Sequence, residues 1–325
     1  VNEVSKGLSY LRLFRLPNVF TALADVMMGY LFTSLEGPIL WGPLLTLLGA
    51  SALLYTSGMV LNDVFDIEQD RAERPQRPLP SGRIALTHAR RLGWGMLVGG
   101  VLFAVVADIV WARGNAPFGA VSVVAGLLAL CIVLYDGVVK KTLLGPWFMG
   151  ACRTANVLLG MTGGAMAVPT LGAWWQVDPS GVMVATGLGL YVAGITWFAR
   201  SEAKESSRGF LIWGLVVMLL GFVTLGLFPE TGEFAIGARK LQFPQEFVWP
   251  ALVAMLVFTI VRRAVAAILQ PTPLRVQVTV KQCIFSIIVL DAAVCLAVRA
   301  PIGWAIAILA LAVPMLGLGR WVYST

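Results

Sequence analysis

The stretch Leu53-Leu54-Tyr55-Thr56-Ser57-Gly58-Met59-Val60-Leu61-Asn62-Asp63-Val64-Phe65-Asp66-Ile67-Glu68-Gln69-Asp70-Arg71 carries an apolar run directly into a set of acidic and amide side chains. The run, over 42–65, is long enough to cross a hydrocarbon layer as a helix. On a helix advancing about 100° per residue, Asn62, Asp66 and Asp70 fall within roughly 80° of one another, one turn apart. Carboxylates so spaced repel each other unless a cation lies between them. Hard divalent ions such as Mg²⁺ take carboxylate and amide oxygens, and substrate phosphates commonly complete their shell. Downstream, Arg71, Arg74, Arg77 and Arg83 present forked donors suited to oxyanions. The pattern predicts a metal and diphosphate site at a membrane surface. A charged loop alone only sets topology; the spacing of Asn62, Asp66 and Asp70 as metal ligands is what points to chemistry.

The rest of the chain agrees with a membrane setting. At 58% hydrophobic and 13% charged residues, with positive mean hydropathy, it is too apolar for a soluble domain. Apolar runs lie near 16–34, 42–65, 88–110, 117–138, 146–168, 182–200, 209–228, 248–269, 282–298 and 302–319, and the short alternating strands of a barrel are absent. The fold class is all-α: a polytopic transmembrane bundle forming a single domain over 1–325, with residues 1–15 as an interfacial amphipathic helix. The net charge of +7 resides between apolar runs, so it reads as orientation and not as nucleic-acid binding. The basic connections are the N-terminus, the loop after Asp70, Lys140-Lys141, Arg200 to Arg208 and Arg262 to Lys281, which places them on the cytoplasmic face. The expected location is a bacterial inner membrane, with polar caps near 66–87 and 200–208 facing the cytoplasm. No cleavable leader is apparent before the first run. Cys131, Cys152, Cys283 and Cys295 lack zinc spacing and read as small core residues. A single histidine, His88, cannot make a multi-histidine zinc site, and neither a nucleophile elbow nor a phosphate-binding Walker loop is present.

Other segments emerge on the same side as the ladder. Glu202 and Glu205 are spaced to share a helical face and supply a second metal set, with Lys204 and Arg208 as candidate substrate-binding cations. Read alone, that segment is an ordinary solvated loop. Lys140 and Lys141 close the fourth run, where a lysine pair commonly serves topology or lipid contact; the functional reading of Lys140 is a point charge on a leaving diphosphate. Arg153 and Asn156 lie inside an apolar run on one face, and an ionisable residue there is a functional-site candidate. Asp25 is placed to face a cavity, Asp108 to be solvated near an interface, and Asp291 sits mid-span without an evident partner.

Asn62-Asp63, Asp66 and Asp70-Arg71, followed by Arg74-Pro75-Gln76-Arg77-Pro78-Leu79-Pro80-Ser81-Gly82, resembles the first aspartate-rich motif of the UbiA superfamily of intramembrane prenyltransferases. The resemblance implies about nine transmembrane helices around a central cavity, with Mg²⁺ holding a polyprenyl diphosphate donor. Carried over by position, Asn62, Asp66 and Asp70 match the metal motif, Arg71 the adjacent basic residue and Arg77 the loop arginine. Tyr135 with Lys140 resembles the tyrosine and lysine after span four, and Arg153 and Asn156 resemble polar residues of span five. The second motif departs from the family: Glu202 and Glu205, then Arg208-Gly209, stand where a run of aspartates is usual. That variant is similar to the UbiA-like EboC proteins.

The implied reaction is ionisation of the allylic C–O bond and capture of the carbocation by a lipophilic acceptor, expected to be aromatic, with pyrophosphate released. Asp66, Asp70, Asn62, Lys140 and Arg153 are the candidate catalytic residues. Arg71, Arg77, Tyr135, Lys140, Asn156, Lys204 and Arg208 are the candidates for binding substrate. One rival is a carrier of this shape that binds isoprenoids without turning them over, for which the altered second motif speaks. The other is a phosphatidyltransferase using a CDP-linked donor, whose dense aspartate and glycine motif Asp136-Gly137 does not provide.

Overall fold

A computed structural model describes residues 6–34, 39–111, 119–166, 178–200, 207–231, 247–298 and 300–322. The described residues are almost wholly helical. After a short α1 (Lys6–Leu13) come α2 (Leu16–Thr33), α3 (Trp41–Phe65), the cap helix α4 (Ile67–Glu73), α5 (Leu86–Trp111) and α6 (Ala120–Leu134). Then follow α7 (Gly145–Ala165), α8 (Pro179–Ala199), α9 (Arg208–Leu227), α10 (Val248–Leu269), α11 (Pro273–Ala297), α12 (Ile302–Ala310) and α13 (Ala312–Val322). Among the described residues, every apolar run of the sequence holds a helix. Two boundaries move: α11 begins at Pro273, a proline at the N-terminal turn where its missing N–H costs nothing, and the last run is interrupted at Leu311.

Among the described residues, eight helices are long and apolar enough to cross a membrane. The chain is a multi-pass membrane protein. Large apolar side chains such as Leu102, Ile109, Phe258 and Leu269 point outward, as a hydrocarbon environment allows. The helices α2 and α7 are not among the eight. Asn18 and Asp25 in the first, and Arg153, Asn156 and several glycines in the second, lower their hydropathy.

Neighbour contacts run α3–α5–α6–α7–α8–α9–α10–α11–α2–α3, a closed ring crossed by the α2–α7 contact. That crossing is unusually close. A Cβ on Gly29 would stand 2.4 Å from the Val157 carbonyl oxygen, and one on Gly160 would stand 2.4 Å from that of Val26. Small residues let two backbones meet where lipid offers no hydrophobic drive for association. The helix α1 is anchored at its C-terminal end: Leu13 is buried with Val60, Val64, Ile67, Leu79 and Ile84.

Candidate functional site

The acidic ladder survives a kink. The helix α3 stops at Phe65, Asp66 adopts φ −90° and ψ 9°, and α4 starts at Ile67. The Asp66 N–H still donates to the Asn62 carbonyl at 3.0 Å and the Asp70 N–H to that of Asp66 at 2.8 Å, so the three side chains stay stacked. Each is engaged. The Asn62 amide donates to Asp136 Oδ1 at 2.8 Å, Lys140 Nζ donates to Asp66 Oδ2, and Arg77 Nη1 donates to Asp70 Oδ2 at 2.7 Å. Asp63, which has no assigned role in the sequence reading, accepts from Arg15 at 2.9 Å and from Arg77 at 3.4 Å. Its signal was present in the sequence, as a carboxylate at the end of an apolar run with no reason to be buried except a partner.

Asn62, Asp66 and Asp70 keep Oδ1 outside these bonds among the described residues. No group of three or more His, Cys, Asp or Glu among those residues stands together as a ready metal cage. One amide and two carboxylates, each acid already facing a cation, fit a hard ion that shares its shell with a diphosphate, not one enclosed by protein alone.

Lys140 reaches Asp66 because α6 ends in a wider turn. Tyr135–Val139 are wound as a π-helix, closed by the Lys140 N–H to Tyr135 carbonyl bond at 2.9 Å. Such turns shift the register of the side chains that follow and recur at functional sites. Tyr135 and Asp136 thereby line a cavity of about 320 Å³ beneath the cap. Apolar walls come from Met59, Leu128, Ile132, Ile195, Ile284 and Ile287, and polar ones from Arg15, Asn18, Tyr55, Arg153 and Asn156. Arg15 and Asn18 were not singled out from the sequence. Arg15 holds a left-handed backbone, φ 44°, at the turn between α1 and α2, an unusual conformation for an arginine that directs it toward Asp63.

Behind the cavity wall, Arg153 Nε pairs with Asp25 Oδ2 at 2.7 Å, and its other nitrogens donate to the Thr21 hydroxyl at 3.2 Å and the Thr21 carbonyl at 3.0 Å. The Asn156 amide donates to the same Asp25 oxygen at 3.0 Å and to the Ala22 carbonyl at 2.9 Å, and accepts from the Ser51 hydroxyl at 2.7 Å. The close Gly29–Gly160 crossing makes these bonds possible. Asp25 therefore does not face the cavity: it is fully buried and orients two residues that do.

Other expected residues are elsewhere. Arg71 is paired with Glu68 at 2.7 Å on the surface and lines no part of the cavity. Arg208, the first residue of α9, reaches to the C-terminal end of α10 and donates to the Leu269 carbonyl at 3.4 Å. Arg83 folds the loop onto itself through Ser81 Oγ and the Gln76 carbonyl. Asp108, expected to be solvated, is buried and accepts from the Val121 and Ser122 N–H groups, capping the start of α6 from the neighbouring helix. Glu202, Lys204 and Glu205 lie outside the described residues. Arg200, just before them, donates to the Lys141 carbonyl at 2.8 Å and lies over Trp197 and Phe210.

A closed ring of membrane helices around a polar-walled cavity, capped by alternating carboxylates and cations, defines an all-α multi-pass membrane protein. The chain belongs to the UbiA prenyltransferase family, whose model matches residues 22–210. It is 41% identical over 113 residues to digeranylgeranylglyceryl phosphate synthase from Sulfolobus acidocaldarius, covering 34% of this chain and 38% of that protein. It is 32% identical over 134 residues to the enzyme of the same name from Saccharolobus solfataricus, covering 41% and 44%. The chain thus spans less than half the length of these curated relatives. Its fold matches a UbiA homolog from Archaeoglobus fulgidus bound to DMAPP and Mg²⁺, with TM-score 0.61 and 14% identity over 93% of this chain and 99% of that one. It also matches a UbiA homolog from Aeropyrum pernix, with TM-score 0.60 and 17% identity over 85% and 96%.

Proposed function

We propose that the protein transfers a prenyl group from a polyprenyl diphosphate to a lipophilic acceptor and releases pyrophosphate, with Mg²⁺ as cofactor. The observation that carries this reading is that the charged cap and the apolar cavity share residues. Arg15 lines the cavity and pairs with Asp63; Asp136 lines the cavity and accepts from Asn62. A diphosphate at the cap leaves its isoprenoid tail in the apolar space directly beneath.

Asn62, Asp66 and Asp70 would hold the metal through their free oxygens, with Glu202 and Glu205 as a further expected pair. Mg²⁺, when bound, supplies positive charge to the departing diphosphate. Lys140 and Arg77, released from Asp66 and Asp70 by an incoming polyanion, would donate to its oxygens. Tyr135 and Tyr55 would turn aromatic faces to the developing allylic cation, and Met59, Leu128 and Ile132 keep water away from it. Arg153 and Asn156 would orient the acceptor. For that acceptor we infer a lipophilic molecule with a polar head. The polar wall suits the aromatic head expected from the sequence and equally a glycerol phosphate of the kind named in the archaeal relatives.

Loop charge supports a cytoplasmic cap. The relatives quoted are archaeal, so the expected setting is a prokaryotic cell membrane and not a specifically bacterial one. A non-catalytic carrier is the second reading, favoured by the fact that Asp66, Asp70 and Asp63 are each already neutralised by a protein cation. Pyrophosphate release by protein in vesicles, with Mg²⁺, prenyl diphosphates of several lengths and pooled acceptors, separates the two. The transferase releases pyrophosphate and loses that activity as Asp66→Asn; diphosphate binding with no release by the wild-type protein assigns the carrier.

A further inference from the structure

The network behind the cavity has more acceptors than donors. Asp25 and Asp291 are both wholly buried, on α2 and α11, two helices that pack against each other and bring the two carboxyls to bear on one another. Asp25 Oδ2 is ion-paired with Arg153 Nε and accepts from the Asn156 amide. Asp25 Oδ1 and both oxygens of Asp291 receive no donor from the described residues. Among the described residues, the other titratable groups that act on the pair through their charge are Tyr55 on Asp25 and Cys295 on Asp291; neither donates to them.

Two ionised carboxylates against one guanidinium would leave a net negative charge, and touching acceptors, at membrane depth. Uncompensated charge in such surroundings is removed by neutralising the group, and adjacent carboxyls resolve their conflict by sharing one proton. A single proton supplies the missing donor, makes the Arg153–Asp25–Asp291 cluster neutral overall and ties α11 to the α2–α7 crossing.

We infer that Asp291 is a neutral carboxylic acid donating its hydrogen bond to Asp25 Oδ1, and that it is a positioning residue which turns Oδ2 of Asp25 toward Arg153 and Asn156. The protonation is independent of what the protein catalyses; the positioning rests on the transferase reading. The first is tested by infrared spectra of wild-type protein and Asp291→Asn in vesicles, with ¹³C-labelled aspartate carboxyls to identify the bands. A protonated-carboxyl C=O stretch present in the wild type and missing from the variant is expected. Identical spectra in that region would mean that both carboxylates are ionised around a trapped water, and would overturn the inference.

The second is tested by substitution, since asparagine keeps a neutral donor at this position and leucine does not. Asp291→Asn should hold kcat/KM within about threefold of wild type, whereas Asp291→Leu should lower it by about tenfold, the scale of a lost hydrogen bond to a charged group. Equal impairment of the two variants, with both still folded by thermal unfolding in detergent, would sink the positioning role. Silence of the wild-type enzyme on every substrate pair would count against the transferase reading alone, because the infrared band is read without turnover.

Discussion

The cap and the network behind the cavity are made of the same chemical groups and solve opposite problems. In the cap, Lys140 and Arg77 retain 25% and 24% of their side-chain exposure, and each acceptor faces its own cation. Such pairs are stabilised little by their mutual attraction, since water competes for both partners, and they can exchange a protein cation for a metal or a diphosphate for a carboxylate. In the network, Asp25 is 0% exposed and Arg153 7%. Water competes poorly for partners so deeply buried, so the arrangement is fixed. Exchange belongs where ligands arrive and leave; fixation belongs where a wall must hold its shape.

The largest effect should come from breaking the fixed cluster. Arg153→Met leaves Asp25 buried without its counter-charge and should destabilise the protein by about 3–5 kcal/mol, seen as loss of folded material in a detergent thermal-shift assay. Adding Asp25→Leu to it should recover much of that stability while leaving activity low, and a double variant no more stable than the single would show that the charges are not what binds the helices. Next is the exchanging cluster: Asp66→Asn should lower pyrophosphate release by about a hundredfold or more, with the unfolding temperature held near that of wild type. Loss of fold there would mean that the cap too is structural.

The crossing that aligns both clusters comes third. Gly160→Ala drives a Cβ into the Val26 carbonyl and should cost about 1–3 kcal/mol through separation of α2 from α7. Activity should fall further than stability, because Arg153 and Asn156 move with α7; a variant that loses stability but keeps full kcat would separate the packing from the site. Arg71→Ala is the smallest. Its pair with Glu68 is exposed, 55% and 80% for the two side chains, so stability should change by less than about 0.5 kcal/mol. Turnover near wild type is expected as well, and a strong loss would restore Arg71 to the substrate-binding set.

Much of this was legible before any coordinate. Apolar runs near the length of a bilayer crossing determine helices, because a backbone in hydrocarbon must satisfy its hydrogen bonds within the segment. Recurrence of Asn62, Asp66 and Asp70 at one turn marks the ladder, since local spacing is enough to place side chains on one face, and the helix kink at Asp66 did not undo it. The polar pair Arg153 and Asn156 announces itself by the cost of such residues within a span. Adjacency of Arg71 to Asp70 in the chain turns its side chain a further 100° or so around the helix, and it pairs with Glu68.

What only the tertiary structure decided are partnerships across long separations in the chain. Asp63 with Arg15 and Arg77, Asn62 with Asp136, Asp66 with Lys140, and Asp25 with both Arg153 and Asp291 join helices whose sequences carry no mark of one another. Composition and periodicity say that each charge needs a partner, because an unpaired one is too costly at these depths. Which partner it finds depends on which helices cross, and that is set by close approaches such as Gly29 against Gly160, where packing of the whole ring brings two backbones together.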